Sequence, residues 1–374
     1  MRLDEMTSLC QHKHPTQQKN KKKRDIRGRS GKWSKTAFSV VEFPTPSLGL
    51  LVFVFAIFHL HHLHMTKTPI QIFRTVQQVR QWRHQCLLRQ ETVGFVPTMG
   101  ALHKGHCHLV GQSLKETHRT VVSIFVNPSQ FAPHEDLDAY PRTLERDLAT
   151  LQTSFSGKGV DAVFVPKVSE MYPSGIVLDV HKQVGAFVTV HGCSEQLEGA
   201  QRPAFFRGVA TVVAKLLNVV SPTKVYFGQK DAQQCVVIKN MVKDLLFDTE
   251  VSVLPTLREE NGLAMSSRNE YLSPETKDQC AIIYKGLCAG QAAYQTQKES
   301  SQGPVSSNLI LEEIRRVYSK MPADWEVEYI AISHPETLAD LEEVDPKVGA
   351  TVSTAVRVPK KEGGEARLID NVQL

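Results

Sequence analysis

From about residue 70 onward, apolar residues fall into short continuous runs separated by stretches of helical spacing. The runs at 93–97, 121–126, 160–166, 225–228 and 251–255 have strand length and few polar interruptions. That is the pattern of strands buried on both faces of a parallel sheet. Between them, Phe73, Val76, Val79 and Trp82 repeat at helical spacing within residues 70–89. Cys107, Leu109, Val110 and Leu114 repeat in a segment that His106 opens and that runs to about Thr117. Val209, Val212, Val213, Leu216 and Leu217 follow Gly208, and Val237, Ile238 and Met241 follow Gln233 and Gln234. Each set predicts a helix with one apolar side. The runs that begin at Val93 and Val121 lie ~28 residues apart, which suits one parallel βαβ crossover. The fold class is therefore α/β.

Past residue 255 the pattern changes. Glu260-Asn261-Gly262 predicts a turn, and Ser273-Pro274-Glu275 predicts a capped helix start, with Ser at the cap and Pro in the first turn. Residues 295–307, rich in Ser, Gln and Gly, read as a flexible connector. A helix is predicted over 309–321, a strand over 326–332, a turn at 360–364 and a last strand over 366–369. Residues 178–190 read as a hairpin of unclear register. No internal repeat is present.

The chemistry gathers where predicted strands end. Phe95-Val96-Pro97-Thr98-Met99-Gly100 leads to His103-Lys104-Gly105-His106 and a helix start. A strand, a glycine turn and a helix N-terminus offer free N–H groups and a favourable dipole to an anion. Two histidines three apart can add hydrogen bonds to phosphate oxygens as charge builds during phosphoryl or nucleotidyl transfer. The alternative is a metal held by His103, His106 and His108, but no Cys or carboxylate stands nearby at a recognised ligand spacing. Asn127 and Gln130 sit just past the run at 121–126, where open α/β sheets bind ligands. Gly228-Gln229-Lys230-Asp231 repeats the theme, with a strand end, a glycine and a cation before a helix, which suits phosphate and ribose. Ser266, Ser267 and Arg268 set two hydroxyls beside a guanidinium fork, a pattern that suits an anion.

Charge changes this picture only at the start of the chain. Of the 44 Lys and Arg and 39 Asp and Glu, residues 1–65 hold 11 and 4, a local +7. The remainder carries 33 against 35, so it has no global electrostatic footprint for nucleic acid. Residues 1–46 read as disordered, with a nuclear or nucleic-acid address in the cluster 19–24 as the sharper option. The apolar run 48–58 is shorter than a membrane span of ~20 residues, and it lies too deep for an ordinary secretory signal. Four histidines follow at 59–64. The simplest account is that Met65 is the functional start, or that the leader is removed or dispensable. The expected compartment is the cytoplasm. A mitochondrial address is the alternative, against which Asp4 and Glu5 count. Seven cysteines, with no Cys-x-x-Cys pair, favour free thiols. Neither Gly-x-Gly-x-x-Gly nor a Walker P-loop occurs, which disfavours a dinucleotide oxidoreductase or a P-loop kinase.

Over residues 66–374 the sequence resembles the pantoate–β-alanine ligase (pantothenate synthetase) family. The pieces that carry the resemblance are Pro97-Thr98-Met99-Gly100 with His103 and His106, residues 125–131, Tyr140-Pro141-Arg142-Thr143, Leu197-Glu198-Gly199-Ala200, Lys230-Asp231 with Gln233-Gln234, residues 265–269, and residues 367–371. The resemblance implies a Rossmann-like nucleotide- and pantoate-binding domain over 66–255 after a leader of 1–65. A smaller α+β lid over 256–374 and a homodimer are also implied. The implied reaction joins pantoate to β-alanine through a pantoyl adenylate, with ATP as substrate and Mg2+ accompanying its phosphates. By the same resemblance His103, His106, Lys230, Ser266, Ser267 and Arg268 are catalytic. Pro97, Thr98, Met99, Gly105, Gly228, Asp231, Leu257 and Met265 join them in binding ATP. Pantoate and β-alanine fall to Met99, Asn127, Gln130, Tyr140 and Gln234, and no resident protein metal site is implied. Bacterial members usually have Glu where Gln229 stands, an aromatic at Ala232 and often His at Phe205. Those differences bear on substrate affinity more than on activity.

Two other readings compete. Cytidylyltransferases and aminoacyl-tRNA synthetases share the His-x-Gly-His turn, although the near-neutral core lacks a basic tRNA-binding module. A catalytically dead nucleotide-binding or scaffold protein would have lost a phosphate-contacting residue, and none is lost here.

Overall fold

The computed structural model describes residues 69–132, 137–138, 140–300 and 303–374. The chain separates into a unit of residues 1–64 and a unit of residues 65–374. The expectations for the leader, the basic cluster, the histidines at 59–64 and the start at Met65 lie outside the described residues.

Six parallel strands form the main sheet: β1 (Gln71–Phe73), β2 (Val93–Thr98), β3 (Arg119–Ile124), β4 (Ala162–Phe164), β5 (Lys224–Gly228) and β6 (Glu250–Leu254). Their order is β1-β4-β3-β2-β5-β6. From β2 the chain moves outward to β3 and β4, then returns to lay β5 on the other side of β2. Between β2 and β5 the winding reverses, and a crevice opens there at the carboxyl ends of the strands.

Five longer helices cover the sheet: α1 (Val76–Leu88), α2 (Lys104–Glu116), α3 (Leu144–Thr153), α4 (Phe205–Val220) and α5 (Ala232–Asp244). Alternate strand residues divide between two cores, as the pleat requires. Phe95, Val121, Phe164, Val225 and Phe227 pack with α1, α4 and α5, whereas Val96, Val122, Val163 and Tyr226 pack with Val110 of α2 and Leu151 of α3. Burial on both faces explains why the strands read as unbroken apolar runs.

A second, antiparallel sheet is ordered β11-β10-β8, from β8 (Glu326–Ser333), β10 (Thr351–Pro359) and β11 (Glu365–Gln373). Helices α6 (Ala281–Ser300) and α7 (Ser307–Tyr318) pack on it through Leu287, Ile310 and Ile314 against Ile332, Val352 and Val372. A short pair, β7 (Val305–Ser306) and β9 (Glu343–Val344), completes this α+β part.

Four sequence expectations need correction. The helix expected over 70–89 begins only at Val76, because Thr75 and Gln78 form a capping box and residues 71–73 pair with β4. Helix α2 begins at Lys104, since His103 is its cap. The hairpin expected over 178–190 contains only a capped turn at Val180–Lys182 and no strand. The expected connector over 295–307 starts as helix: α6 continues to Ser300, anchored by the buried Tyr294 and by Gln295 donating to Glu299 one turn on. Its polar residues mark a solvated helix face.

Candidate active site

The loop between β2 and α2 is held in a costly shape. Gly100 and Ala101 both have positive φ, +90° and +48°, and only the first is a glycine. The fully buried Asp147 of α3 offsets that cost by accepting from the amides of Ala101 (3.0 Å) and Leu102 (2.8 Å) and from the Thr143 hydroxyl (3.2 Å). His103 and His106 follow with their rings 4.1 Å apart. His103 Nδ1 accepts from the Gly105 amide (3.1 Å), and His106 Nδ1 accepts from the His103 amide (3.3 Å). Burial first, and then the Lys230 ammonium, lowers His103 to about 4. Burial first, and then His103 itself, lowers His106 to about 3. Both imidazoles are therefore neutral at pH 7. With Nδ1 committed as an acceptor, each carries its proton on Nε2 and presents a donor.

Lys230 lies across the crevice, past the end of β5, with 16% of its side chain exposed and Nζ 3.2 Å from the Asp231 carboxylate. Its turn is pinned from β11, where Asn371 Nδ2 donates to the carbonyls of Gln229 (2.8 Å) and Lys230 (2.9 Å). Two neighbouring glutamines of α5 diverge. Both line the crevice, but the buried Gln233 side chain is committed to protein partners, accepting from the Glu198 amide and donating to the carbonyls of Cys193 and Gln196.

The segment after β6 closes one side. Arg258 grips Asp370 of β11 with two nitrogens, at 2.6 and 2.9 Å, and lies over the Tyr284 ring. Ser266 caps the following turn through the Arg268 amide, and the Ser267 hydroxyl donates to the Ala101 carbonyl (3.3 Å). The two-serine, one-arginine stretch thus rests on the histidine loop.

These elements enclose a cavity of about 560 Å³. Pro97, Thr98, Met99, His103, Gly105, His106, Asn127, Gln130, Tyr140, Gly228, Lys230, Asp231, Gln234, Leu257, Met265, Ser266, Ser267 and Arg268 all line it. Every residue that the resemblance assigns to ATP, pantoate or β-alanine thus borders one chamber. Asn127 lines it with an amide already committed to protein partners, so its direct ligand contact is more limited than its loop position suggested. His108 also borders the cavity but is exposed, and among the described residues no three His, Cys, Asp or Glu groups gather as a metal site.

Sequence reasoning assigned no role to a charged network on the far wall. Arg367 donates two bonds to Glu198 and one to Glu328 (2.6 Å); Arg357 also donates to Glu328, and the Tyr329 hydroxyl donates to Glu198 (2.7 Å). Glu198 and Arg367 lie in matched stretches, but 169 residues separate them. Of the departures noted above, Phe205 stacks under Arg202 (3.8 Å), and Ala232 is buried at the start of α5. The Gln229 amide approaches Asn371 (3.4 Å).

A family model described as pantoate-beta-alanine ligase matches residues 71–373. The chain belongs to the pantoate–β-alanine ligase family. Membership makes it a carbon–nitrogen bond-forming ligase. A pantoate–β-alanine ligase of Saccharomyces cerevisiae is 45% identical over 313 residues, covering 81% of this chain and 99% of the yeast protein. A pantothenate synthetase of Herpetosiphon aurantiacus is 45% identical over 303 residues, with the same coverage. Among solved structures, a pantothenate synthetase from Thermus thermophilus superposes with a TM-score of 0.69 at 42% identity, over 81% of this chain and 99% of that one. The Francisella tularensis ligase, solved with a compound named as beta-gamma ATP and with beta-alanine, gives a TM-score of 0.60 at 31% identity, covering 81% and 97%. The family match spans all three sheets of the described residues and all the cavity-lining segments, so the chamber belongs to this ligase architecture.

Proposed function

We propose that this chain condenses pantoate with β-alanine and cleaves ATP to do so. A pantoate carboxylate oxygen attacks the α-phosphorus and pyrophosphate leaves; the β-alanine amine then attacks the acyl carbon of the pantoyl adenylate and AMP leaves. The single observation that carries the reading is the ring of phosphate donors around the β2–β5 crevice. His103 and His106 offer neutral Nε2–H groups from one wall, Lys230 offers an ammonium from the other, and Ser266 and Arg268 come from the segment above, with Ser267 turning to the phosphates from its present bond to the Ala101 carbonyl. Preorganised donors of this kind stabilise charge on oxygens around the α-phosphorus without help from a covalent intermediate. Cys280, the thiol in the lining, is buried and pushed up to about 12, so it stays protonated and is no thiolate nucleophile.

In this reading Pro97, Thr98, Met99, Gly105, Leu257 and Met265 hold the nucleotide, with Gly228 and Asp231 at its ribose. Gln130 and Gln234 grip pantoate, and Met99, Asn127 and Tyr140 line the path of the acyl group and the amine. Residues 66–255 serve as the nucleotide- and pantoate-binding domain and 256–374 as its lid. A magnesium ion fits as a passenger on the triphosphate, because the cavity has the carboxylate of Asp231 near the phosphate donors rather than a three-ligand cage. When bound, it would neutralise phosphate charge. No helix of the described residues is long and apolar enough to cross a membrane. A cytoplasmic homodimer is the state we propose, with the mitochondrion as the alternative compartment.

The deciding experiment follows AMP and pantothenate together. Formation of both should require ATP, pantoate and β-alanine at once. AMP release that ignored pantoate, or that required a nucleic acid, would sink the reading in favour of another adenylating enzyme. Nucleotide binding without any turnover would indicate a scaffold.

A further inference from the structure

Tyr172 follows the helical turn Val168–Met171 and does not line the cavity. It is 3% exposed, its ring stacks near Phe125 (6.5 Å between centroids), and Lys215 Nζ lies 4.0 Å from its face. That packing leaves its hydroxyl one position, 2.6 Å from Asn127 Oδ1 and 2.8 Å from Ser129 Oγ. Asn127 is itself 1% exposed, and its Nδ2 donates to the Gly208 carbonyl (3.2 Å) and to Gln130 Oε1 (3.0 Å).

The chemistry of these partners dictates which way each amide faces. A backbone carbonyl only accepts, so the NH2 end of Asn127 must face Gly208 and its oxygen must face Tyr172. Helix α4 comes so close to the turn at Pro128–Gln130 that a Cβ on residue 208 would sit 2.0 Å from the Ser129 carbonyl oxygen, which fixes the Gly208 carbonyl relative to that turn. Burial pushes the phenol up to about 12, so it remains a donor at any working pH. With both ends of Asn127 determined, its second N–H is aimed at Gln130 Oε1. Gln130 is then left to offer Nε2, its donor edge, to the cavity it lines.

We propose that Tyr172 is a positioning residue: acting through Asn127, it locks the Gln130 amide so that the cavity presents a donor, and not an acceptor, to an oxygen of the hydroxy-acid substrate. The proposal rests on the reading above that Gln130 grips pantoate. The test compares steady-state kinetics and melting temperatures of the full chain carrying Tyr172→Phe, Gln130→Ala, both together, and Asn127→Asp. Tyr172→Phe should raise KM for pantoate by roughly tenfold, the loss of one well-aligned hydrogen bond. KM for ATP should stay within about twofold. On the Gln130→Ala background the same change should add no more than about twofold, since the group it positions is gone.

Asn127→Asp puts an oxygen against Gln130 Oε1 and should turn the Gln130 amide over, raising KM for pantoate at least as much while KM for ATP holds. It decides the matter if Tyr172→Phe fails to fold. An unchanged pantoate KM in Tyr172→Phe or Asn127→Asp overturns the proposal, given a clear effect of Gln130→Ala. So does an equal effect of Tyr172→Phe with and without Gln130. If Gln130→Ala itself leaves the pantoate KM unmoved, the role of Gln130 fails and the proposal falls with it, a result distinct from the others.

Discussion

Replacing Lys230 by Met removes the ammonium while keeping most of the side-chain volume. Lys230 is 16% exposed, so its charge acts in a chamber poorer in water than the surface. Two unit charges ~4 Å apart interact by about 4 kcal/mol at an effective dielectric constant of ~20. Deletion of a single preorganised donor in comparable sites costs about 3–4 kcal/mol. Adenylate formation should therefore slow by roughly 10²–10³-fold. Stability should hardly move, because the ion pair with the 46%-exposed Asp231 is worth at most ~1 kcal/mol. A spectroscopic readout accompanies the rate. Lys230 is the second cause, after burial, of the depressed His103 value. In Lys230→Met the His103 titration should climb from about 4 and remain below 6.5, since burial persists. Single-turnover pyrophosphate release, a thermal melt and histidine NMR titration measure the three quantities. Turnover within about tenfold of the parent, or an unmoved His103 titration, would refute the idea that this ammonium faces the phosphates beside the histidines.

His106→Ala should be deficient chiefly in making pantoyl adenylate. Given preformed adenylate and β-alanine, it should recover most of its activity, and equal losses in both half-reactions would contradict a phosphate-specific role. The two half-buried histidines also set a pH dependence of stability. Their folded values, about 4 and 3, lie below the ordinary 6.5, so the unfolded chain binds the extra protons. Their contribution is whole above pH 6.5 and is lost as the pH falls toward 4 for His103 and 3 for His106. The melting temperature of His106→Gln should accordingly fall less steeply below pH 6.5 than that of the parent; parallel curves would count against a neutral, partly desolvated imidazole. Glu198→Gln removes the carboxylate that Arg367 and Tyr329 share, leaving an under-compensated cation that still holds Glu328. We expect a loss of about 3 kcal/mol in urea unfolding, and less than ~1 kcal/mol would mean that water screens the network.

The parallel sheet was legible because Val93, Phe95 and Val96 are buried on both faces and carry no polar alternation. Edge and C-terminal elements were harder to read. Strand β1 has three residues and merges into the helical spacing that follows, so only its pairing with β4 reveals it. Strand β10 hides its polar residues instead: Thr351, Ser353 and Thr354 are all buried, and Thr354 donates to the Tyr329 carbonyl on the neighbouring strand. The phosphate-donor candidates were visible because His103, His106 and Lys230 stand near a glycine past a strand end, and Ser266, Ser267 and Arg268 set two hydroxyls beside a guanidinium. Asp147, Tyr172, Glu198 and Arg367 were not, because their partners lie tens of residues away and no local spacing marks them. Asn127 shows the limit most clearly. Its loop position was readable, whereas the commitment of its amide to Gly208 and Gln130 depends on how α4 docks on the turn.

The grip of Asn371 on the carbonyls of Gln229 and Lys230 ties the posture of a proposed phosphate donor to the order of synthesis. A growing chain acquires every proposed phosphate donor once Arg268 is made, about a hundred residues before β11 appears. Until β11 is laid down, the turn carrying Lys230 lacks its clasp and Arg258 lacks the carboxylate of Asp370. A half-made polypeptide, or one clipped ahead of Glu365, therefore possesses the donors without the posture and should be silent in the AMP assay. The proposed donors thus take up their posture only once β11 is laid against the turn that carries Lys230.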